Sequence, residues 1–526
     1  MESEAPEILP APPAPSHPRA IVAAAGLLGA ILALPLLSTP FDVDQALFST
    51  LANTLLGGGV AYRDAWEHRP PGVFYAYYLS FLLFGPHAWA MRIFEIGAVA
   101  AVSAGLARLG ILWFRSAGTA LVAAVAFPLM YGLLGAPATG HSEIFQAPFV
   151  VWGIALWPVT GDESKREWRC WASGILVSLA VCFKTPAVTV AAGLLVHRLF
   201  ADRNLPGMRA KLRLTWFTAA GLLIPPLLIV TYYVARGAGP ELFDALIFFP
   251  AKYAAMDYGV PFLQRLRETS TLAEQVVPLW AGGLVALGIA RGAAVNRTAL
   301  WRWAAASTAA AGAVILQGKF FNYHHIIVLP FVALGMGLPL MTRARSDPNT
   351  DRTGRLVFGC GAAFLLATTA VSFVMQWKPK WESFRTVYGV RRSDRSFSGE
   401  ESRPVEAEVS RIIRSLSRPE DAMFVWGTRP LLYFMSERRM AGSYPHMLHM
   451  APPWPGSEIR IDRLLRRLDR EPPRLVVVCP NDWEWWCGQT ERQLLDRFSD
   501  MREFIRDNYV LASTVQGCEI WTRRSP

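Results

Sequence analysis

Apolar runs long enough to cross a bilayer recur along most of the chain, near residues 20–38, 93–111, 118–134, 145–159, 214–235, 276–290, 303–317, 325–341 and 356–376. A hydrocarbon core of about 30 Å takes about 20 helical residues. The stretch 171–197 is equally apolar but is broken at Lys184-Thr185-Pro186. A proline there removes a backbone donor and clashes with the preceding turn, so the stretch reads as two helices meeting at a tight turn. The pattern predicts an α-helical polytopic membrane bundle of about eleven spans over residues 19–376.

After residue 377 the periodicity changes. Ala422 to Val425 and Leu475 to Cys479 read as short buried strands, and Ile461, Leu464, Leu465 and Leu468 form a helical stripe. A second stripe of Leu494, Leu495, Phe498, Met501 and Ile505 precedes a hairpin from Tyr509 to Thr522 that turns near Gly517. Residues 377–526 are therefore expected to form a small α/β domain. It carries no Gly-rich phosphate loop, nucleophile elbow or metal-ligand spacing, so the chemistry is expected elsewhere.

Composition agrees with a membrane protein: 52% of the 526 residues are hydrophobic and 18% are charged, where soluble chains carry about a quarter charged residues. The net charge of +11 would suit a nucleic-acid partner, but its distribution argues otherwise. Counted over alternate connections, one side collects most of the Lys and Arg, among them Arg108, Arg115, Arg169, Lys211, Arg302 and Arg343, while the short loops opposite hold little beyond Lys184 and Lys319. The rich side is cytoplasmic by the positive-inside rule. The chain is thus expected to be a multi-pass protein of a bacterial inner membrane with no nucleic-acid partner. The N-terminus lies inside, the long loops 39–92 and 236–275 outside, and the α/β domain is extracytoplasmic.

Residues 1–18 are Pro-rich and acidic, read as a disordered cytoplasmic tail without the basic start or cleavage site of a secretory signal. Cys479, Cys487 and Cys518 fall in the outer domain, where one disulfide among them is allowed, and no Cys/His spacing supports a structural metal.

Ionisable groups concentrate in the first outer loop: Asp42-Val43-Asp44-Gln45, an apolar-periodic helix to about Leu56, then Tyr62-Arg63-Asp64-Ala65-Trp66-Glu67-His68-Arg69-Pro70-Pro71-Gly72. Read by residue type alone, Asp42 or Asp44 caps the following helix, and Glu67, His68 and Arg69 face water before a turn. Asp42-Val43-Asp44 also spells the D-x-D pattern of nucleotide-sugar transferases. Nucleotide sugars are cytoplasmic and this loop is not, so the pattern is discounted.

This loop resembles that of the GT-C glycosyltransferases, in the group containing the protein O-mannosyltransferases and the lipid A aminoarabinose transferases. The resemblance rests on an acidic residue after the first span, Leu-Leu-x-Gly-Gly, the Tyr62 to Gly72 segment, Leu83-Phe84-Gly85 and Arg92. It extends to His141-Ser142-Glu143-Ile144-Phe145, to Phe183-Lys184-Thr185-Pro186 and to Lys319 through Pro330, covering residues 20 to about 340. It implies inverting transfer of a sugar from a polyprenyl-phosphate donor to a hydroxyl acceptor on glycan, lipid or protein at the outer membrane surface. Asp44 matches the family's first acidic position and is the candidate general base. A second acid usually follows it and Gln45 stands here instead, which puts any paired-carboxylate role in doubt.

The resemblance raises Glu143 as a second catalytic candidate, against a plain reading as a helix-start acid beside a Ser142 cap. Arg69, Lys184 and Lys319 are candidate contacts to the donor phosphate, since fixed cations stabilise an anionic leaving group. For Lys184 and Lys319 the alternative is interfacial snorkelling. Tyr62, Asp64, Glu67, Tyr323 and His324 are candidate substrate contacts, the last two equally read as interfacial aromatics. His68 with Glu143 could contribute to a divalent metal site, although two residues do not make one. A lipid or sugar transporter and a non-catalytic assembly protein remain as alternatives. The first should show internal repeats, which are not seen, and the second leaves the outer-loop charges without a role.

Overall fold

The computed structural model describes residues 15–158, 166–201, 207–255, 297–338, 404–450, 456–479 and 490–524. The expected spans 276–290 and 356–376, Cys360, Cys487 and the boundary at 376/377 lie outside the described residues. Elsewhere helices stand where the apolar runs place them. They are α1 (Pro18–Ala33), α4 (Ala88–Phe114), α5 (Ala117–Leu133), α6 (Ser142–Leu156), α7 (Arg166–Phe183), α8 (Val188–Val196), α9 (Met208–Ala235) and the helix Arg297–Gln317. The run at 325–341 begins as a 3-10 turn, Asn322–Ile327, and continues as the helix Leu329–Met336.

Four stretches among the described residues, Pro18–Ser38, Ala88–Phe114, Met208–Ala235 and Thr298–Gln317, are long and apolar enough to cross a membrane. Large apolar side chains such as Leu223, Leu228, Trp216 and Trp301 remain exposed on them. Surfaces of that kind suit lipid rather than water.

The two helices of the first outer loop are α2 (Val43–Leu56) and α3 (Gly72–Phe84). Gly72 opens α3 where a Cβ would come within 2.8 Å of the Cys182 carbonyl oxygen and of the Phe183 ring. Only a glycine lets α3 start so close to the end of α7, and that contact carries the outer loop to the Lys184 break. At the break Lys184 is extended, and a short 3-10 turn, Thr185–Ala187, separates α7 from α8, as the proline requires.

The C-terminal residues form the expected α/β unit around a five-stranded sheet. Its strands are β1 (Ala422–Trp426), β2 (Arg439–Met440), β3 (Leu475–Val478), β4 (Tyr509–Val515) and β5 (Cys518–Arg523), in the order β2-β1-β3-β5-β4. The first three are parallel, and β5 joins β3 antiparallel through the hairpin with β4. Gly517 turns that hairpin at φ +80°, a conformation glycine adopts without steric cost. The single helix expected from the Leu494 to Ile505 stripe is instead two, Glu491–Arg497 and Ser499–Asn508, because Phe498 leaves helical geometry between them. Cys479, just after β3, is disulfide-bonded to Cys518 at the start of β5.

Bundle and α/β unit share one apolar core. Phe434 packs its ring 5.0 Å from Phe41 and stacks on Phe81 at 6.4 Å. Polar contacts reinforce the joint. The Trp66 amide donates to the Ser443 carbonyl at 2.7 Å, and Arg467 Nη1 reaches Asp64 at 3.2 Å.

Candidate active site

Asp42 occupies the N-cap position of α2, leaving Asp44 in the first turn. The Asp42 amide donates to Gln45 Oε1 at 2.8 Å. Gln45 faces away from Asp44 into the protein, where its Oε1 also accepts from Arg92 Nη2 at 3.1 Å and its amide nitrogen donates to the Thr139 carbonyl. Arg92 in turn is paired with Glu95 at 2.6 Å and donates to the Thr39 and Pro40 carbonyls. A Cβ at Gly140, φ +73°, would stand 2.9 Å from the same guanidinium. The glutamine is therefore part of a buried hydrogen-bonded floor that fixes the 135–141 loop, while Asp44 lines the cavity.

The 57–71 segment is a tight loop. Tyr62 lies at φ +70° with its amide bonded to the Ala65 carbonyl at 2.8 Å, and its hydroxyl donates to the Arg69 carbonyl at 2.9 Å. Its ring is buried against Phe74 and Tyr233, so packing holds a backbone geometry that a tyrosine seldom adopts. The loop places Arg69 between two carboxylates, Nη2 at 2.8 Å from Asp44 Oδ2 and Nη1 at 2.9 Å from Glu67 Oε1. Glu67 is completely buried. It is also met by His68 Nδ1 at 2.8 Å and by His446 Nε2, from the α/β domain, at 3.4 Å.

The facing wall comes from the bundle. Glu143 lies in the first turn of α6, and Lys184 Nζ pairs with its Oε1 at 3.0 Å. Ser142 is the first helical residue rather than the cap, because His141 holds the N-cap position. His141 stacks on Tyr323 with ring centroids 4.1 Å apart, and Lys184 Nζ stands 5.5 Å from the same ring. His141 Nε2 lies 3.0 Å from the Pro137 carbonyl oxygen, to which only an N–H can bond, so Nδ1 is the nitrogen turned toward Asp44 Oδ2 at 3.6 Å. Lys319 donates to the Tyr253 carbonyl at 3.4 Å and lies over its ring.

These groups surround a cavity of about 670 Å³ between the bundle and the α/β domain. Asp44, His68, Arg69, Lys184, Lys319, Tyr323 and His324 line it. Glu67 and Glu143 lie behind the lining and hold Arg69 and Lys184 in place. Tyr62 and Asp64 do not reach it. Tyr62 supports Arg69 from below, and Asp64 joins Arg63 and Arg467 at the domain interface. Tyr253, Glu406, Thr428, Arg429 and His446 line the cavity without having stood out in the sequence. The last four belong to the α/β domain, hundreds of residues from the first loop, and no local motif marks them.

Electrostatics follow from these contacts. Burial raises the Asp44 carboxyl, but Arg69 and His141 outweigh it and hold the group below its ordinary range. Burial likewise raises Glu67, and His68 and Arg69 bring it well below that range. Burial pushes His68 and His141 down against the pull of their carboxylate neighbours. Two carboxylates thus share one guanidinium, and Asp44 is an ionised acceptor open to the cavity. Among the described residues no group of three or more His, Cys, Asp or Glu side chains could hold a metal ion. His68 meets Glu67, and Glu143 pairs with Lys184.

No protein-family sequence model matches the chain, and no curated protein sequence matches it. Among solved structures, ArnT from Cupriavidus metallidurans bound to undecaprenyl phosphate is similar with a TM-score of 0.59 at 13% identity, over 96% of this chain and 98% of that one. The apo form of the same protein gives 0.55 at 12%, over 95% and 97%. Near-complete coverage of both chains includes the α/β domain. The chain has the GT-C fold of membrane glycosyltransferases such as lipid A aminoarabinose transferase.

Proposed function

We propose that this protein is an integral membrane glycosyltransferase that moves a hexosyl or pentosyl unit from a polyprenyl-phosphate donor to an acceptor hydroxyl, inverting the anomeric carbon, at the extracytoplasmic face of a bacterial inner membrane. The observation that carries the reading is that one cavity brings the ionised carboxylate of Asp44 together with Arg69, Lys184 and Lys319. The acceptor oxygen attacks the anomeric carbon as its proton passes to Asp44. The bond from that carbon to the phosphate oxygen breaks, and the polyprenyl phosphate leaves as an anion. Lys184 and Lys319, with Arg69 beside Asp44, are placed to offset that charge without moving protons. Glu143 keeps Lys184 aimed at the cavity and is a positioning residue in this reading.

Two further observations support it. A solved structure of the same fold contains undecaprenyl phosphate. The Cys479–Cys518 disulfide suits an oxidising compartment, as the charge bias of the loops does for an N-terminus in the cytoplasm. Purified protein reconstituted with undecaprenyl-phosphate-linked sugars and candidate acceptors should release undecaprenyl phosphate and form a glycoside of inverted configuration. A retained configuration would remove the single-displacement mechanism, and failure to bind undecaprenyl phosphate would remove the donor class.

A further inference from the structure

Within the α/β domain, β1 is the strand at which the sheet order reverses. The chain leaves it for β2 on one side and comes back to β3 on the other, with all three parallel. In open sheets the loops at the carboxyl ends of such strands part and leave a crevice suited to ligands. Here the loops after β1 and β2 are joined by the Met447 amide bonding to the Gly427 carbonyl at 3.0 Å. They open onto the cavity through Thr428, Arg429 and His446. Thr428 is 4% exposed and its hydroxyl has no hydrogen-bond partner among the described residues. Buried hydroxyls are normally satisfied, so this one is left for a ligand. Arg429 Nη1 stands 3.9 Å from Glu406 Oε1 on the same wall.

We propose that this wall is the acceptor subsite and that it takes a carbohydrate ring with neighbouring hydroxyls, an inference that rests on the transferase reading above. A sugar hydroxyl both donates and accepts. The wall offers donors in Arg429, an acceptor in Glu406, and a group of either kind in the Thr428 hydroxyl. Among its described lining residues Leu431 alone is apolar, whereas the bundle side adds Leu47, Pro186, Leu316 and Phe321 beside its cations. The cavity thus divides into a bundle wall matched to a lipid phosphate and a domain wall matched to a polyol. The two meet at the base, because α2, which carries Asp44, packs against the helix Leu431–Ser436 and against β2.

The test uses the full chain in lipid nanodiscs, presented to immobilised oligosaccharides, unglycosylated peptides and sugar-free lipids, with undecaprenyl phosphate binding measured on the same samples. A carbohydrate should be retained, and Thr428→Val and Arg429→Met should each weaken that binding about tenfold, the loss typical of one polar contact to a buried group. Undecaprenyl phosphate binding should stay at the wild-type level, which also reports an intact fold. Retention of peptide or lipid alone, no retained carbohydrate, or unchanged carbohydrate binding in both variants overturns the subsite. Loss of undecaprenyl phosphate binding by the wild-type protein overturns the donor assignment and leaves the carbohydrate result to stand on its own. If a variant loses both ligands, Thr428→Ser must restore carbohydrate binding, and its failure to do so counts against the subsite.

Discussion

Arg69 and Asp44 form an ion pair of 2.8 Å at the edge of the cavity, and the other arm of the same guanidinium is held by the buried carboxylate of Glu67 at 2.9 Å. The base is therefore fixed by a cation whose own position is fixed from behind. A planar guanidinium offers a separate nitrogen to each carboxylate in a fixed geometry, which the single nitrogen of an ammonium does not.

Removing the fork should change the proton affinity of the base. Arg69 helps to hold the Asp44 carboxyl below its ordinary range, so Arg69→Met should raise it. Asp44 acts only when ionised, and the acid limb of kcat/KM should move to higher pH in the variant. Arg69→Lys should retain part of the depression but lose the second contact. A pH profile with an unmoved acid limb in Arg69→Met would show that another group controls it.

Glu67 should matter for stability as well as for position. Burial raises its carboxyl, but His68 and Arg69 outweigh that and hold it in the folded protein well below its ordinary unfolded value of 4.5. The stabilisation is present above that unfolded value and is lost as pH falls through the folded one. Glu67→Gln should cost about 1–3 kcal/mol at neutral pH and should flatten the loss of stability below pH 4.5, as read by thermal unfolding across pH. The side chain is completely buried, so solvent screening does not reduce this effect.

How far the sequence reaches is clear from the neighbours of that carboxylate. The apolar runs, the break at Lys184 and the strands of the outer domain are legible because each depends on local periodicity or on a proline. Asp44, Arg69 and Lys184 are legible because charges beside a membrane are costly and need a reason. His446 is not, since it reaches Glu67 from 379 residues away and only the docking of the two units brings it there. Tyr62 and Asp64 stand in the same charged segment as Arg69, yet burial directs one beneath the loop and an ion pair directs the other to the interface. Gln45 looks like a missing acid in sequence. In the fold it is a buried amide that needs both its donor and its acceptor, a role a carboxylate could not fill beside the Thr139 carbonyl.

Lys184 is expected to act on the donor. Lys184→Gln removes the charge that faces the cavity from Glu143 and keeps a polar side chain of similar reach. The variant should bind undecaprenyl phosphate about tenfold more weakly, close to the worth of one charge-assisted contact. A titration with undecaprenyl phosphate checks this, and an unchanged dissociation constant would remove Lys184 from the phosphate site.

The disulfide should be a stabilising feature of the outer domain. Cys479 and Cys518 are 39 residues apart, and closing a loop of that length stabilises by roughly 3–4 kcal/mol in the chain-entropy view. Cys518→Ser or treatment with reductant should lower the unfolding temperature of that domain, and thiol counting before and after reduction should differ by the pair.

The most direct test is transfer by Asp44→Asn from an undecaprenyl-phosphate-linked sugar in reconstituted membranes, measured beside undecaprenyl phosphate binding. The substitution keeps size and polarity and removes the proton acceptor. Transfer should fall by about 10² to 10⁴ while undecaprenyl phosphate binding persists. Transfer at the wild-type rate would contradict Asp44 as the base.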